Sequence, residues 1–174
     1  MVTLLGDSIL AGYLLPPELG PAARLEAELA ALKLAVTVRN AGVPGDTTGG
    51  ARGRMDGALK SDTAVCVVGL GGNDRGRGWP LSVTRSNLEA ILVRLREKKV
   101  STVLAASGAG RGPEASAMYA ELARAHGALL YPDLMAGVGP EMRLGDRVHP
   151  NPAGAAVIAR GLAPLVAQAL AARA

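Results

Sequence analysis

Two histidines and one cysteine are the residues of this 174-residue chain whose chemistry suits proton transfer or thiolate work near neutral pH. His126 sits in LARAHGALL, at the end of a helix-period stretch and directly before Gly127. A histidine there interacts favourably with a helix C-terminus and can bond its free carbonyls, which is a structural role. His149 sits in the loop string GDRVHPNPAG, with Asp146 three residues earlier and Pro152 opening the next helix. Asp-x-x-His lets one tight turn bring the carboxylate to imidazole Nδ1, leaving Nε2 free for a serine. Asp146 and Asn151 would serve equally as turn and cap residues. Two ligands are too few for a zinc centre, and no third His or Cys completes one, so we expect no metal.

A serine in a comparable position is Ser8, in TLLGDSILAGY, where an apolar strand-like segment runs into Gly-Asp-Ser. Read alone, this is also ordinary strand-to-helix chemistry, with Asp7 or Ser8 as the N-cap. Cys66 lies in AVCVVGL, the most apolar run of the chain, a setting for a buried, inert thiol. GLGGND carries closely spaced glycines after a strand, but Asp74 stands where a dinucleotide fingerprint needs Gly or Ala. Asn73 instead offers a side-chain amide to a developing oxyanion. Gly45, in the PGDT string, offers a backbone N–H that can approach the same point unobstructed.

Such groups must be positioned by the rest of the chain, where short apolar runs alternate with helix-period stretches. The pattern predicts strands over residues 2–5, 35–39, 64–70, 101–106 and 128–131. Helices are predicted over 21–32, 48–59, 83–98, 113–126 and 152–172, with Leu88, Ile91, Leu92 and Leu95 marking one face of the third. Five strand–helix repeats imply one α/β domain spanning 1–174, a three-layer α/β/α sandwich around a five-stranded parallel sheet. Ligands of open parallel sheets bind at the carboxyl ends of the strands. Four stretches can reach that region: GDS, NAGVPGDTT, GLGGND and LGDRVHPN.

Composition narrows the function class. Hydrophobic residues make up 49% and charged residues 20%, so the chain is globular. Aromatics are only 2%, with no Phe, so Leu, Val, Ile and Ala must build the core. The net charge of +4 is spread through every segment without interleaved aromatics, which argues against nucleic acid as a partner. We find no segment of transmembrane length and no basic-then-apolar leader, and expect a cytoplasmic protein without stable membrane insertion. The sequence sets no oligomeric state.

In order and spacing, Gly6-Asp7-Ser8, the Gly45 of PGDTT, the Asn73 of GGND and the Asp146/His149 pair of DRVHPN resemble the four blocks of the SGNH (GDSL-type) hydrolase superfamily. The similarity spans nearly the whole chain and lies nearest the small bacterial thioesterase, lysophospholipase and arylesterase branch. It implies a flavodoxin-like fold and a serine esterase that needs no cofactor and acts on a small-molecule ester. By the resemblance, Ser8 is the nucleophile, His149 the general base and then acid, and Asp146 its orienting partner. The Ser8 N–H, the Gly45 N–H and the Asn73 amide would form the oxyanion hole. Asp7 and Asp46 read as turn-stabilising neighbours. Asp7, Arg75 and Trp79 are also carried as candidate substrate contacts. Where the branch often has an LPxNYG-like loop bordering the acyl site, this chain reads AASGAGRGPE, residues 105–114. The implied reaction is hydrolysis of carboxylic esters, extending to thioesters, of short to medium acyl chains including aryl esters. Sugar acetates, lysophospholipids and acyl-CoA are alternative substrates within the class, and a silent ligand-binding relative is the non-enzyme alternative.

Overall fold

The computed structural model describes residues 1–107 and 112–173. Part of the loop expected to border the acyl site, at 108–111, lies outside the described residues. Five strands, Val2–Gly6 (β1), Val38–Asn40 (β2), Val65–Leu70 (β3), Ser101–Ala106 (β4) and Leu129–Tyr131 (β5), form one parallel sheet in the order β2-β1-β3-β4-β5. Both faces are covered, and alternation along each strand divides the core in two. Val2, Leu4, Val65, Val67 and Val103 face the helices Pro21–Ala31 (α2) and Pro152–Ala171 (α7), whose Leu25, Leu29, Ile158, Leu162 and Val166 complete that layer. Leu5, Cys66, Val68, Leu70 and Leu104 face Thr48–Ala58 (α3), Leu81–Glu97 (α5) and Pro113–His126 (α6). The expected face of α5, Leu88 to Leu95, is buried there. The three-layer sandwich is as the sequence implies.

Several details differ from the sequence pattern. β2 begins at Val38 rather than 35, because pairing with β1 starts at Val2↔Val38 and the preceding residues run along an exposed edge. Two short helices, Ser8–Ala11 (α1) and Gly72–Gly76 (α4), were not legible as elements, being too short to show a period. α7 corrects the expectation that no segment reaches transmembrane length: it is long and apolar enough by that test. Ile158, Leu162 and Val166, however, are buried against the sheet, so here its apolarity builds the core.

The strand order reverses between β1 and β3. The chain leaves β1 toward β2 on one side and returns to β3 on the other, which opens a crevice at their carboxyl ends. α1 and α4 begin at those two strand ends, so Ser8 and Asn73 face each other across the switch point. Gly6 lets α1 pack this close, since a β-carbon there would lie 2.8 Å from Leu10 Cβ.

Candidate active site

Ser8 is the first residue of α1. Asp7 caps that helix, its Oδ1 accepting from the Ile9 N–H at 3.0 Å. The Ser8 N–H, as the first amide of the helix, has no intrahelical acceptor and is available to a ligand. Across the crevice the loop after the short 3-10 turn Pro140–Met142 delivers the acid and the base together. Asp146 Oδ1 accepts the N–H groups of Val148 (2.9 Å) and His149 (3.0 Å), which folds the tight turn that Asp-x-x-His suggests. Asp146 Oδ2 lies 2.6 Å from His149 Nδ1, and His149 Nε2 lies 2.9 Å from Ser8 Oγ. An ionised carboxylate only accepts, so Nδ1 carries the ring proton and Nε2 accepts from the Ser8 hydroxyl. The His149 hydrogen bond, with the backbone donors of His149 and Val148, pulls the Asp146 carboxyl down to about 2. The three residues that the sequence brings into question thus form one hydrogen-bonded chain.

The oxyanion candidates sit opposite. Val43, Pro44, Gly45 and Asp46 form a tight turn closed by the Asp46 N–H on Val43 O at 3.0 Å, and Gly45 takes φ +77° there. Pro then Gly at the centre suits a turn whose third residue must be left-handed. Asn73 Nδ2 donates to Asp46 O at 2.8 Å, and Arg77 Nη2 donates to Gly45 O at 3.1 Å. One N–H of Asn73 therefore ties its helix to the Gly45 turn, and the second is left for a ligand.

Three supports of this arrangement were missed by reading the sequence. Arg54 makes an ion pair with the mostly buried carboxylate of Asp46 at 2.7 Å and also donates to Ala41 O (2.7 Å) and Gly6 O (3.3 Å). One guanidinium thus joins the ends of β1 and β2 to the Gly45 turn. Asp74, fully buried, accepts from the Thr48 N–H at 2.9 Å and from the Thr48 hydroxyl, which pins α4 to the start of α3. Tyr13 stacks on the imidazole of His149 at a tilt of 49°, ring centroids 4.7 Å apart. Asp74, Thr48 and Tyr13 stand inside the quoted strings, whereas Arg54 carries no local signal, because only tertiary folding brings it in.

Ser8, Asn73, Asp133, Arg143, Arg147 and His149 line a cleft of about 610 Å³. The chain matches the GDSL-like Lipase/Acylhydrolase family over residues 4–157. It belongs to that family. Its reaction is the hydrolysis of an ester bond, and the serine of its own Gly-Asp-Ser string, Ser8, lines this cleft. Among curated relatives, it is 32% identical to an arylesterase of Vibrio mimicus over 158 residues, 86% of this chain and 79% of the relative. It is 31% identical to esterase TesA of Pseudomonas aeruginosa over 158 residues, 84% and 78% of the two chains. A crystal structure of TesA superposes with a TM-score of 0.88 at 28% identity, covering 97% of this hydrolase and 99% of that chain.

The remaining expected contacts of the hydrolase fall elsewhere. Asp7 borders the cleft, but its side chain is turned inward: Oδ1 caps α1 and Oδ2 accepts from Ser107 Oγ at 3.2 Å. Burial pushes its carboxyl up to about 6. Asp7 is a positioning residue for Ser8 rather than a substrate contact. Arg75 and Trp79 line another cleft, of about 330 Å³, with Leu81, Thr84 and Tyr119, and among the described residues it shares Ser107 alone with the first. The chain turns after Asn73, the Trp79 N–H bonding Asp74 O at 3.0 Å, and carries them to the side of α5 and α6. His126 ends α6 as expected, but its ring makes no hydrogen bond to the helix carbonyls and faces Glu89 at 3.6 Å.

Proposed function

We propose that this hydrolase cleaves carboxylic esters of short to medium acyl chain, aryl esters included, through an acyl intermediate on Ser8. The Ser8–His149–Asp146 hydrogen-bonded chain carries the reading. Ser8 Oγ attacks the ester carbonyl carbon as His149 Nε2 takes the hydroxyl proton. Asp146 holds the ring and stabilises the imidazolium. The carbonyl oxygen becomes an oxyanion, for which the Ser8 N–H, the Gly45 N–H and the second Asn73 N–H are the donors. Collapse breaks the bond to the alcohol oxygen, which leaves with the proton from Nε2. Water then attacks the acyl-Ser8 carbonyl, giving its proton to Nε2. The acid departs as that proton returns to Ser8.

The chain-length preference is supported by the mixed lining around Ser8, where Asn73, Asp133, Arg143 and Arg147 stand beside the apolar Ile9, Met135 and Val148, so an acyl chain meets charged groups as well as apolar surface. An apolar groove gains about 0.8 kcal/mol per buried methylene, so it would reveal itself as a steady rise in kcat/KM with acyl length. On p-nitrophenyl esters we expect that rise to end by roughly six to eight carbons. Rates still climbing beyond that length would make the apolar cleft of Trp79, Leu81 and Tyr119 the acyl groove and replace this reading with a long-chain one. Run beside acyl-CoA and acetylated sugars, the same series decides among ester, thioester and sugar acetate.

A further inference from the structure

The turn carrying Asp146 and His149 is held several times over. The Arg147 N–H donates to Leu144 O at 2.9 Å and the Leu144 N–H to His149 O at 2.8 Å, besides the two amides on Asp146 Oδ1. Inside it Arg147 takes φ +60°, the left-handed region that disfavours residues with a β-carbon. Among the described residues Leu14, Lys33 and Lys99 share that feature. Lys33 and Lys99 directly follow the C-caps of α2 and α5, where a left-handed residue is an ordinary way to end a helix. Arg147 has no such explanation, and glycine would hold the same backbone without strain. Side-chain chemistry is what an arginine adds here.

That side chain is exposed and lines the Ser8 cleft. Among the described residues no carboxylate lies within ion-pair distance of its guanidinium. The two other acids of the cleft are engaged: Asp7 with Ile9 and Ser107, and Asp133 through the Met135 N–H at 2.9 Å. Arg143 donates to Arg147 O and to Val138 O, both at 3.2 Å. One arginine therefore braces the turn and the other is left to the cleft. An unpaired guanidinium lining the cleft that holds Ser8 suits an oxyacid group, which it can bind through two parallel N–H bonds.

We propose that Arg147 forms an anion subsite in the catalytic cleft, so that the preferred substrates are esters bearing a carboxylate or phosphate near the scissile bond. This rests on the Ser8 cleft being the ester-hydrolysing site. Two matched pairs of esters test it. One places the charge on the acyl side, as mono-p-nitrophenyl glutarate against p-nitrophenyl butyrate. The other places it on the alcohol side, as butyryl glycerol phosphate against butyryl glycerol. The readout is the anionic-to-neutral ratio of kcat/KM within each protein, which cancels any general effect of a substitution on turnover.

In wild type we expect a ratio of about ten or more in one pair, and the pair that responds tells which side carries the charge. Arg147→Gln should lower that ratio about tenfold, Arg147→Lys should keep part of it, and added salt should shrink it in wild type. Arg147→Gly, which relieves the backbone, guards against a folding failure and should behave as Arg147→Gln. Ratios near one in both pairs, or a ratio untouched by Arg147→Gln and Arg147→Gly, overturn the subsite. Equilibrium binding of the same esters to Ser8→Ala protein, with and without Arg147→Gln, gives the answer independently of turnover. If wild type hydrolysed none of the four esters while Ser8→Ala protein still bound the anionic ones through Arg147, the hydrolase reading would fail and the subsite would stand.

Discussion

The two histidines occupy opposite ends of the same sheet and show what separates a reactive imidazole from a structural one. His149 stands at the carboxyl ends of the strands with its side chain one-fifth exposed, Nδ1 held by Asp146 and Nε2 turned to Ser8. His126 stands near the start of β4, lining a cavity of about 370 Å³ with Lys99, Val100 and Gln168. Its side chain is only 9% exposed, and among the described residues neither ring nitrogen has a hydrogen-bond partner. Burial is greater at His126, yet among the described residues no hydrogen bond fixes its tautomer and no hydroxyl is bonded to either nitrogen. Proton transfer needs both nitrogens assigned, one to a holder and one to the reacting group.

The largest expected effect comes from removing each ring in turn. His149→Ala should lower kcat by ~10⁴-fold or more, with Ser8→Ala comparable, because the two act as one unit. His126→Ala should leave kcat within about twofold, since its partner Glu89 is half exposed and such pairs contribute little. Steady-state kinetics on a p-nitrophenyl ester measures both, and an inactive but folded His126→Ala protein would reverse the comparison.

The next effect lies on the oxyanion side. Asn73→Ala should reduce kcat by ~10²–10³-fold with a smaller change in KM, as for a donor used mainly in the transition state. A change confined to KM would make Asn73 a ground-state contact.

Arg54→Met should cost less, about tenfold in kcat together with ~1–3 kcal/mol of stability from urea unfolding. It leaves the mostly buried Asp46 carboxylate unpaired and frees the Gly45 turn from the ends of β1 and β2. Stability lost with no change in kcat would show that the turn keeps its geometry without Arg54.

These supports also mark where the sequence stopped being readable. The sheet, its two-sided core and the four stretches converging on one crevice followed from alternating apolar runs and from glycine, aspartate and histidine in fixed strings. Ser8, Asn73, Asp146 and His149 were found that way because each sits within a few residues of a strand end or a turn signal. Arg54 lies in mid-helix among glycines and another arginine, and its role exists only once β1, β2 and α3 have met. Trp79 and Arg75 show the converse. They are near Asn73 in sequence, but α4 ends between them and turns the chain toward α6.

The effect with least bearing on turnover is on the pH dependence of stability. The buried Asp7 carboxyl titrates near 6 in the folded chain and near 3.8 when unfolded. With the folded value raised, its contribution is fully present below about 4 and is lost as pH rises through about 6. The loss is roughly 2–3 kcal/mol for a shift of this size. Asp7→Asn keeps an acceptor for the Ile9 N–H and should flatten the wild-type decline between pH 4 and 6, read from urea midpoints across that range. An equally steep decline in the variant would assign it to another group.

The claim that His149, and not His126, activates Ser8 is tested most directly by covalent labelling with a serine-directed organophosphorus reagent, followed by peptide mass spectrometry. The account predicts one modified residue, Ser8, labelled at the wild-type rate in His126→Ala and at least ~10²-fold more slowly in His149→Ala. Stoichiometric labelling of Ser8→Ala protein, or Ser8 labelling that depends on His126 and not on His149, would contradict it.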